Sequence, residues 1–321
     1  MRIGIDLGGS KIEVIALSAA GEVLERRRRP SPHGDYRATL RAIAELVQET
    51  EAKLGRRGSV GVGIPGAISP ATRLVKNANS TWLIGKPLEA DLGVALGRPV
   101  RLANDANCFA VSEAVDGAGV GARVVFGVIL GTGVGGGIAI DGRPLTGRGA
   151  IAGEWGHNPL PWPTDAERPG PLCYCGRRGC IETFVSGPGL LRDYRVHGGD
   201  ADDAETVAER ASTGEPLARA ALERYQNRLA RGLTTVVNLL DPDVIVIGGG
   251  LSNLAGLAEG LTDRIAAQVF SDHWDTPIVP ARFGDSSGVR GAAWLWGPDE
   301  APEQPQPADA APSQSLTPEQ P

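Results

Sequence analysis

The chain has 321 residues, a net charge of -6 and 41% hydrophobic residues. Such a length exceeds the usual size of one compact core and predicts two lobes with a cleft between them, the kind of place small ligands favour. The charge balance argues against a nucleic-acid or anionic-membrane partner, since nothing in it offsets phosphate repulsion.

Met1 runs directly into Arg2-Ile3-Gly4-Ile5-Asp6 with no charged and apolar export signal ahead of it. No later apolar run is long enough to span a bilayer, so a soluble cytoplasmic protein is expected. Residues 3–7, 12–17 and 23–28 read as three strands joined by Gly-rich turns, followed by a helix over 35–54. The four arginines at 26–29 end at Pro30 and read as a solvated strand end. Residues 60–65 form a buried strand. A further strand at 100–103 ends on Asn104-Asp105-Ala106-Asn107, with a helix from 108 to 115.

The pattern then restarts. A strand at 124–130, a glycine turn at 131–137 and a returning strand at 138–140 echo the opening turn Asp6-Leu7-Gly8-Gly9-Ser10-Lys11. Helices are predicted near 189–195, 203–211 and 216–240. A strand at 244–247 leads into Gly248-Gly249-Gly250 and a helix over 254–270, and a last helix covers 289–296. The duplicated plan gives a first α/β lobe over 1–117, a second over 118–287, a returning helix over 288–297 and a disordered tail over 298–321. That tail is rich in Pro, Gln, Ala and Ser and has too little apolar surface to offset its ordering entropy.

The densest chemistry lies between Gly153 and Glu182. Cys173, Cys175, Cys180 and His157 form the donor set of a structural Zn²⁺ site, and Gly176 and Gly179 let the chain bend back to one ion. Four ligands leave no open position, so the metal shapes the loop and does not activate water. The remaining cysteine, Cys108, sits among apolar residues as a buried thiol, and no disulfide framework is expected.

Gly8-Gly9-Ser10 and Gly131-Thr132-Gly133 fall at strand-to-strand turns where backbone N–H groups can approach phosphate oxygens, with the Ser10 and Thr132 hydroxyls as added donors. Gly249 and Gly250 open the helix expected after residue 253, whose N-terminus favours anions. Together these point to ATP, although no P-loop is present. Asp6 and Asp105 each end a buried strand, a costly place for a carboxylate without a strong partner. Phosphoryl transfer needs a base for the attacking hydroxyl and a metal on the phosphates. Asp105, flanked by Asn104 and Asn107, suits the base, and Asp6 suits the orientation of hydrated Mg²⁺.

These motifs resemble the ROK sugar kinases, whose fold is the two-lobed ribonuclease H-like fold of actin and hexokinases. The resemblance rests on Asp6-Leu7-Gly8-Gly9-Ser10-Lys11, Leu130-Gly131-Thr132-Gly133, Gly153-Glu154-Trp155-Gly156-His157 and Cys173-Tyr174-Cys175-Gly176-Arg177-Arg178-Gly179-Cys180, and it covers about residues 1–297. Three further segments resemble the bacterial fructokinase branch: Lys76-Asn77-Ala78-Asn79-Ser80-Thr81-Trp82, Leu102-Ala103-Asn104-Asp105-Ala106-Asn107-Cys108 and the run at 284–294.

The resemblance implies that Asp105 is the catalytic base and that Asn79, Asn104, Glu154, His157 and Glu182 hold sugar hydroxyls. It implies that Lys11 stands with the ATP-binding turn, that His157 binds Zn²⁺ through one nitrogen and sugar through the other, and that the protein is a homodimer. The expected reaction is ATP-dependent phosphorylation of a hexose 6-hydroxyl, with fructose as substrate and mannose as a second. Glucokinase or N-acetylglucosamine kinase is the alternative. The family also contains sugar-responsive repressors with a DNA-binding module ahead of the first lobe, for which a first strand already holding Asp6 leaves no room. A Pro-rich insertion at 162–171, between His157 and Cys173, departs from the family pattern.

Overall fold

A computed structural model describes residues 1–297 and Glu300; the tail expected at 298–321 lies, apart from Glu300, outside the described residues. In chain order the first half contains strands β1 (Arg2–Leu7), β2 (Lys11–Leu17) and β3 (Val23–Pro30), then helix α1 (Tyr36–Leu54). It continues with β4 (Ser59–Ile64), the short β5 (Ala67–Ile68) and β6 (Val75–Lys76), α2 (Leu88–Leu96), β7 (Val100–Asn104) and α3 (Asp105–Val115). The second half begins with β8 (Val124–Leu130), β9 (Val134–Ile140) and β10 (Arg143–Pro144). Helices α4 (Glu182–Val185), α5 (Gly187–Val196), α6 (Ala204–Ser212) and α7 (Pro216–Leu240) follow, then β11 (Val244–Gly248), α8 (Leu261–Ala266), β12 (Ile278–Pro280) and α9 (Ser287–Trp294).

The two main sheets repeat one plan. In the first the order is β3-β2-β1-β4-β7, and in the second β10-β9-β8-β11-β12. Each has three antiparallel strands followed by two parallel ones, pairing through β1–β4 and β4–β7 in one sheet and β8–β11 and β11–β12 in the other. Central β4 buries every residue, as a continuous apolar run covered on both faces must. Helix α1 covers one face of the first sheet through Ala42, Ile43, Leu46 and Val47, apolar at helical spacing. Its start is fixed by Asp35, whose carboxylate accepts from the Ala38 N–H at 2.9 Å, and its end by Gly55 in the left-handed region.

Helices α3 and α9 cross between the sheets. Helix α3 packs on β8 and β9 of the second sheet, while α9 packs on β1 and β4 of the first. The crossing is backbone on backbone: a Cβ at Gly291 would lie 1.6 Å from the Cys108 carbonyl oxygen, and one at Gly137 would lie 2.0 Å from that of Ala106. No other residue fits at either point. Cys108 is buried at this crossing, as expected, and burial holds its thiol well above the usual range.

Three local expectations require correction. The glycine run at 131–137 is a turn only at its start: Gly135, Gly136 and Gly137 are paired within β9, opposite Ile129, Val128 and Gly127. Helix α3 begins at Asp105 and not at 108, because Asn104 caps it by accepting from the Ala106 N–H at 2.9 Å. The helix expected over 254–270 shrinks to α8, since Gly256 and Gly260 adopt positive φ and interrupt it; a 3₁₀ turn, Gly250–Asn253, follows β11 instead. The arginine run ends β3 with Arg26 and Arg28 exposed, as expected, but each arginine also has an ion partner. Arg26 and Arg28 hold the buried Glu13 of β2 at 2.5 and 2.6 Å, while Arg27 and Arg29, on the opposite face of β3, reach Glu49 and Glu45 of α1.

Candidate active site

Asp6 and Asp105 stand at the same end of the first sheet on the two strands that flank β4, one near the carboxyl end of β1 and the other where β7 gives way to α3. Both line a cavity of about 550 Å³ together with Gly8, Gly9, Asn79 and, from the second half of the chain, Gly249. Asp105 is exposed to this space, while the protein atoms crowded around the cleft leave its carboxylate only partly hydrated. Burial pushes its pKa up, and the nearby Glu154 carboxylate adds to the rise, while the Ala106 N–H and the Asn104 amide work against it. Asp6 is raised to about 6, first by burial and then by Asp105 and Glu13. A carboxylate raised in this way holds a proton more tightly, which is what a base for an alcohol requires.

Asn104 is engaged before any substrate arrives: its Oδ1 caps α3 and its amide donates to the Gly66 carbonyl at 3.1 Å. It therefore fixes the helix that carries Asp105. Lys11 faces Glu13 at 4.0 Å on β2, and Ser10 accepts through its carbonyl from the Ser31 N–H at 2.9 Å. Neither of these two residues lines the cavity.

Gly131, Thr132 and Gly250 line a second cavity of about 430 Å³ with Gly187, Pro188, Asp203 and Glu205, at the start of α5 and α6. The turn is tight, with the Gly131 N–H donating to the Gly133 carbonyl at 3.0 Å and the Gly187 N–H to the Gly131 carbonyl at 2.8 Å. Among the ATP-binding candidates, Gly8, Gly9 and Gly249 thus stand at one cavity and Gly131, Thr132 and Gly250 at the other.

Glu182, at the start of α4, ties the glycine turn to the cysteines. Its Oε2 accepts from the Val134 N–H at 3.0 Å and its Oε1 lies 3.8 Å from the Cys173 sulfur. Ligand atoms of His157, Cys173, Cys175 and Cys180 all lie within 4.8 Å of one another. The His157 Nδ1 to Cys173 Sγ distance is 3.6 Å, as is that between the Cys175 and Cys180 sulfurs. A tetrahedron with Zn–S bonds of about 2.3 Å has edges of about 3.8 Å. The donor set and its spacing therefore fit one Zn²⁺, with His157 binding through Nδ1.

Cys180 and Cys173 are buried while Cys175 is exposed. Burial pushes the Cys180 thiol up to about 12, and a bound cation supplies the positive charge that thiolates in this place need.

The insertion at 162–171 is locked to α7. Thr164 and Glu167 form a reciprocal capping box around a single turn, and Glu167 then accepts from Arg228 at 2.8 Å and Arg231 at 2.7 Å. Arg228 also holds Asp193 of α5 at 2.6 Å. Burial pushes Glu167 up, but Arg231 and Arg228 overcome it and hold the carboxyl down to about 2. The segment joining two metal ligands is thus fastened to the longest helix.

Some cavity residues had no place among the sequence candidates. His33 stacks at 4.6 Å on Trp82, and both line the space around Asp105 with Ser80. The Ser80 hydroxyl and the Trp82 indole N–H are buried without a hydrogen-bond partner among the described residues. Tyr174, a member of the cysteine motif with no expected role of its own, has its hydroxyl 2.9 Å from His157 Nε2. No sequence signal marked Tyr174 beyond its place between two cysteines; Ser80 and Trp82 were marked only by their proximity to Asn79, and His33 by nothing.

Comparison with known proteins places these features in a family. A model described as the ROK family matches residues 2–298. An N-acetyl-D-glucosamine kinase of Shigella boydii serotype 4 is 42% identical over 301 residues, covering 92% of this chain and 99% of that protein. An N-acetyl-D-glucosamine kinase of Salmonella paratyphi B is 41% identical over the same length. Among solved structures, a ROK hexokinase from Thermus thermophilus superposes with a TM-score of 0.79 at 30% identity, covering 92% of this chain and 97% of that one. A ROK family glucokinase from Streptomyces griseus, in complex with glucose and AMPPNP, has a TM-score of 0.69 at 27% identity, with 92% and 98% covered. The two-lobed α/β architecture is that of these hexokinases.

Proposed function

The chain belongs to the ROK family, and we propose that within it the protein is an ATP-dependent kinase of a hexose 6-hydroxyl. The observation that carries this reading is the cavity shared by Asp105, Asp6 and the Gly8-Gly9 turn, with Glu154 near enough to raise Asp105. In this reading a sugar lies against Glu154, His157 and Glu182, and its primary hydroxyl points at Asp105. Asp105 takes the proton as the oxygen attacks the γ-phosphorus of ATP, whose bond to the ADP oxygen breaks. The Gly8 and Gly131 N–H groups already donate to the Lys11 and Gly133 carbonyls, so the donors left to stabilise the phosphates are the other N–H groups of those two turns. Mg²⁺, when bound, neutralises charge on the phosphates, and Asp6 is the residue suited to orient it through water. Approach of the lobes excludes water that would otherwise compete with the sugar.

The relatives support N-acetyl-D-glucosamine as the sugar, because two of them, at 42% and 41% identity, act on it by name. Fructose, with mannose, is the second reading. It is favoured by the Lys76–Trp82 segment, which resembles the fructokinase branch and contributes Asn79, Ser80 and Trp82 to the cavity wall. A coupled assay of ADP release across N-acetyl-D-glucosamine, fructose, mannose and glucose tests both. Highest kcat/KM with N-acetyl-D-glucosamine supports the first reading, and highest with fructose replaces it by the second. No sugar-dependent ADP from any of the four would defeat the kinase reading itself.

A further inference from the structure

An imidazole has two ring nitrogens, and each makes one in-plane interaction. In His157 both are taken. Nδ1 faces the cysteine cluster, 3.6 Å from the Cys173 sulfur, and Nε2 faces the Tyr174 hydroxyl at 2.9 Å. With Nδ1 on a metal the proton resides on Nε2, so His157 donates and Tyr174 accepts. A sugar hydroxyl seeking the same Nε2–H finds an alcohol already there.

Tyr174 is built to come and go. Its backbone is fixed by the turn of the cysteine loop, where the Gly176 N–H donates to the Cys173 carbonyl at 3.0 Å and the Cys173 N–H to the Arg177 carbonyl at 2.8 Å. Its side chain, by contrast, is 79% exposed. The ring meets His157 edge-on at 5.1 Å and no other aromatic ring contact or hydrogen bond of its side chain is present among the described residues. A χ1 rotation would free Nε2 without disturbing a metal ligand.

We propose that the Tyr174 hydroxyl is an internal stand-in for a sugar hydroxyl: it occupies His157 Nε2 in the sugar-free protein and gives way when the sugar binds. Tyr174 is therefore an affinity-setting residue, holding the imidazole oriented between turnovers and competing with substrate. This inference rests on the sugar-kinase reading.

The test is Tyr174→Phe, which keeps the ring contact and deletes the hydroxyl, alongside Tyr174→Ala, which deletes both. Wild type and variants are titrated with the sugar giving the highest wild-type kcat/KM, by calorimetry for Kd and by the coupled assay for KM, and zinc per chain is measured. Losing a competing hydrogen bond worth about 0.5–1.5 kcal/mol corresponds to about a 2- to 12-fold tighter Kd. Both variants are expected to show that tightening, with KM falling further than kcat moves and zinc content unchanged. An unaltered or weaker Kd in Tyr174→Phe with zinc retained would overturn the proposal, since the hydroxyl would then be idle or a contact to the sugar. Wild-type protein that binds none of the four sugars would instead sink the kinase reading on which it stands.

Discussion

The carbonyl of Cys108 on α3 and the α-carbon of Gly291 on α9 stand so close that a methyl group at Gly291 would lie 1.6 Å from the oxygen. This contact joins the two helices that cross between the sheets, and α3 carries Asp105 at its first turn. Gly291→Ala should therefore cost at least about 1–3 kcal/mol, the scale of overpacking in a filled interior. Gly288→Ala on the same helix meets nothing within 4 Å and should leave stability unchanged or raise it. Urea midpoints of the two variants check the pair. Equal midpoints would show that the helices part freely at Gly291.

The buried ion pairs of the insertion make an acid-stability prediction. Glu167 is held at about 2 against an ordinary value of 4.5, so its contribution is complete above 4.5 and is lost as pH falls toward 2. Glu167→Gln should lose that contribution at every pH, at a cost of about 3–5 kcal/mol for breaking a buried pair, and should flatten the fall of Tm between pH 4.5 and 2. Thermal melts across that range decide it. A variant as stable as wild type at pH 7 would show that Arg228 and Arg231 do not depend on Glu167.

Much of this architecture was legible in the sequence, for physical reasons that differ by residue. Strands β1, β4 and β8 were readable because apolar runs buried on both faces have few alternatives, and Asp35 and Gly55 marked the ends of α1. The helix expected over 254–270 failed because Gly256 and Gly260 outweigh the apolar periodicity around them. The glycines of β9 looked like a turn, although they exist to let α3 and Trp155 approach a strand. The Arg26–Arg29 run read as an exposed strand end, but its partners, Glu13, Glu45 and Glu49, lie on other elements and left no trace in its spacing. In the site, the cysteine spacing announced the cluster, whereas the contact between Tyr174 and His157 depends on rotamers that no spacing encodes.

Zinc removal should affect the fold and the site together. One four-ligand cluster predicts about one zinc per chain. Chelation or Cys175→Ser should lower Tm and weaken sugar binding in parallel, since His157 loses the partner that fixes its ring. Elemental analysis with calorimetric sugar titration measures both. Metal-free protein with unchanged Tm and sugar affinity would refute the assignment.

The acid limb of the rate should follow the aspartates. A base must be unprotonated to accept the hydroxyl proton, so turnover falls as pH drops through the range of Asp105, which lies above that of an ordinary aspartate; Asp6, raised to about 6, adds its own titration. A profile of kcat/KM from pH 5 to 8 should decline on the acid side. A flat profile would mean that neither carboxylate titrates in the rate-determining step.

The most direct test compares wild type with Asp105→Asn, each incubated with ATP, Mg²⁺ and the preferred hexose, with the sugar phosphate identified by phosphorus NMR. The amide is nearly isosteric but cannot take the proton. Wild type should form the 6-phosphate, and the variant should bind ATP equally while turning over about 10²- to 10⁴-fold more slowly. A variant with near-normal turnover, or a wild-type product phosphorylated anywhere but the 6-position, would contradict Asp105 as the base for a hexose 6-hydroxyl.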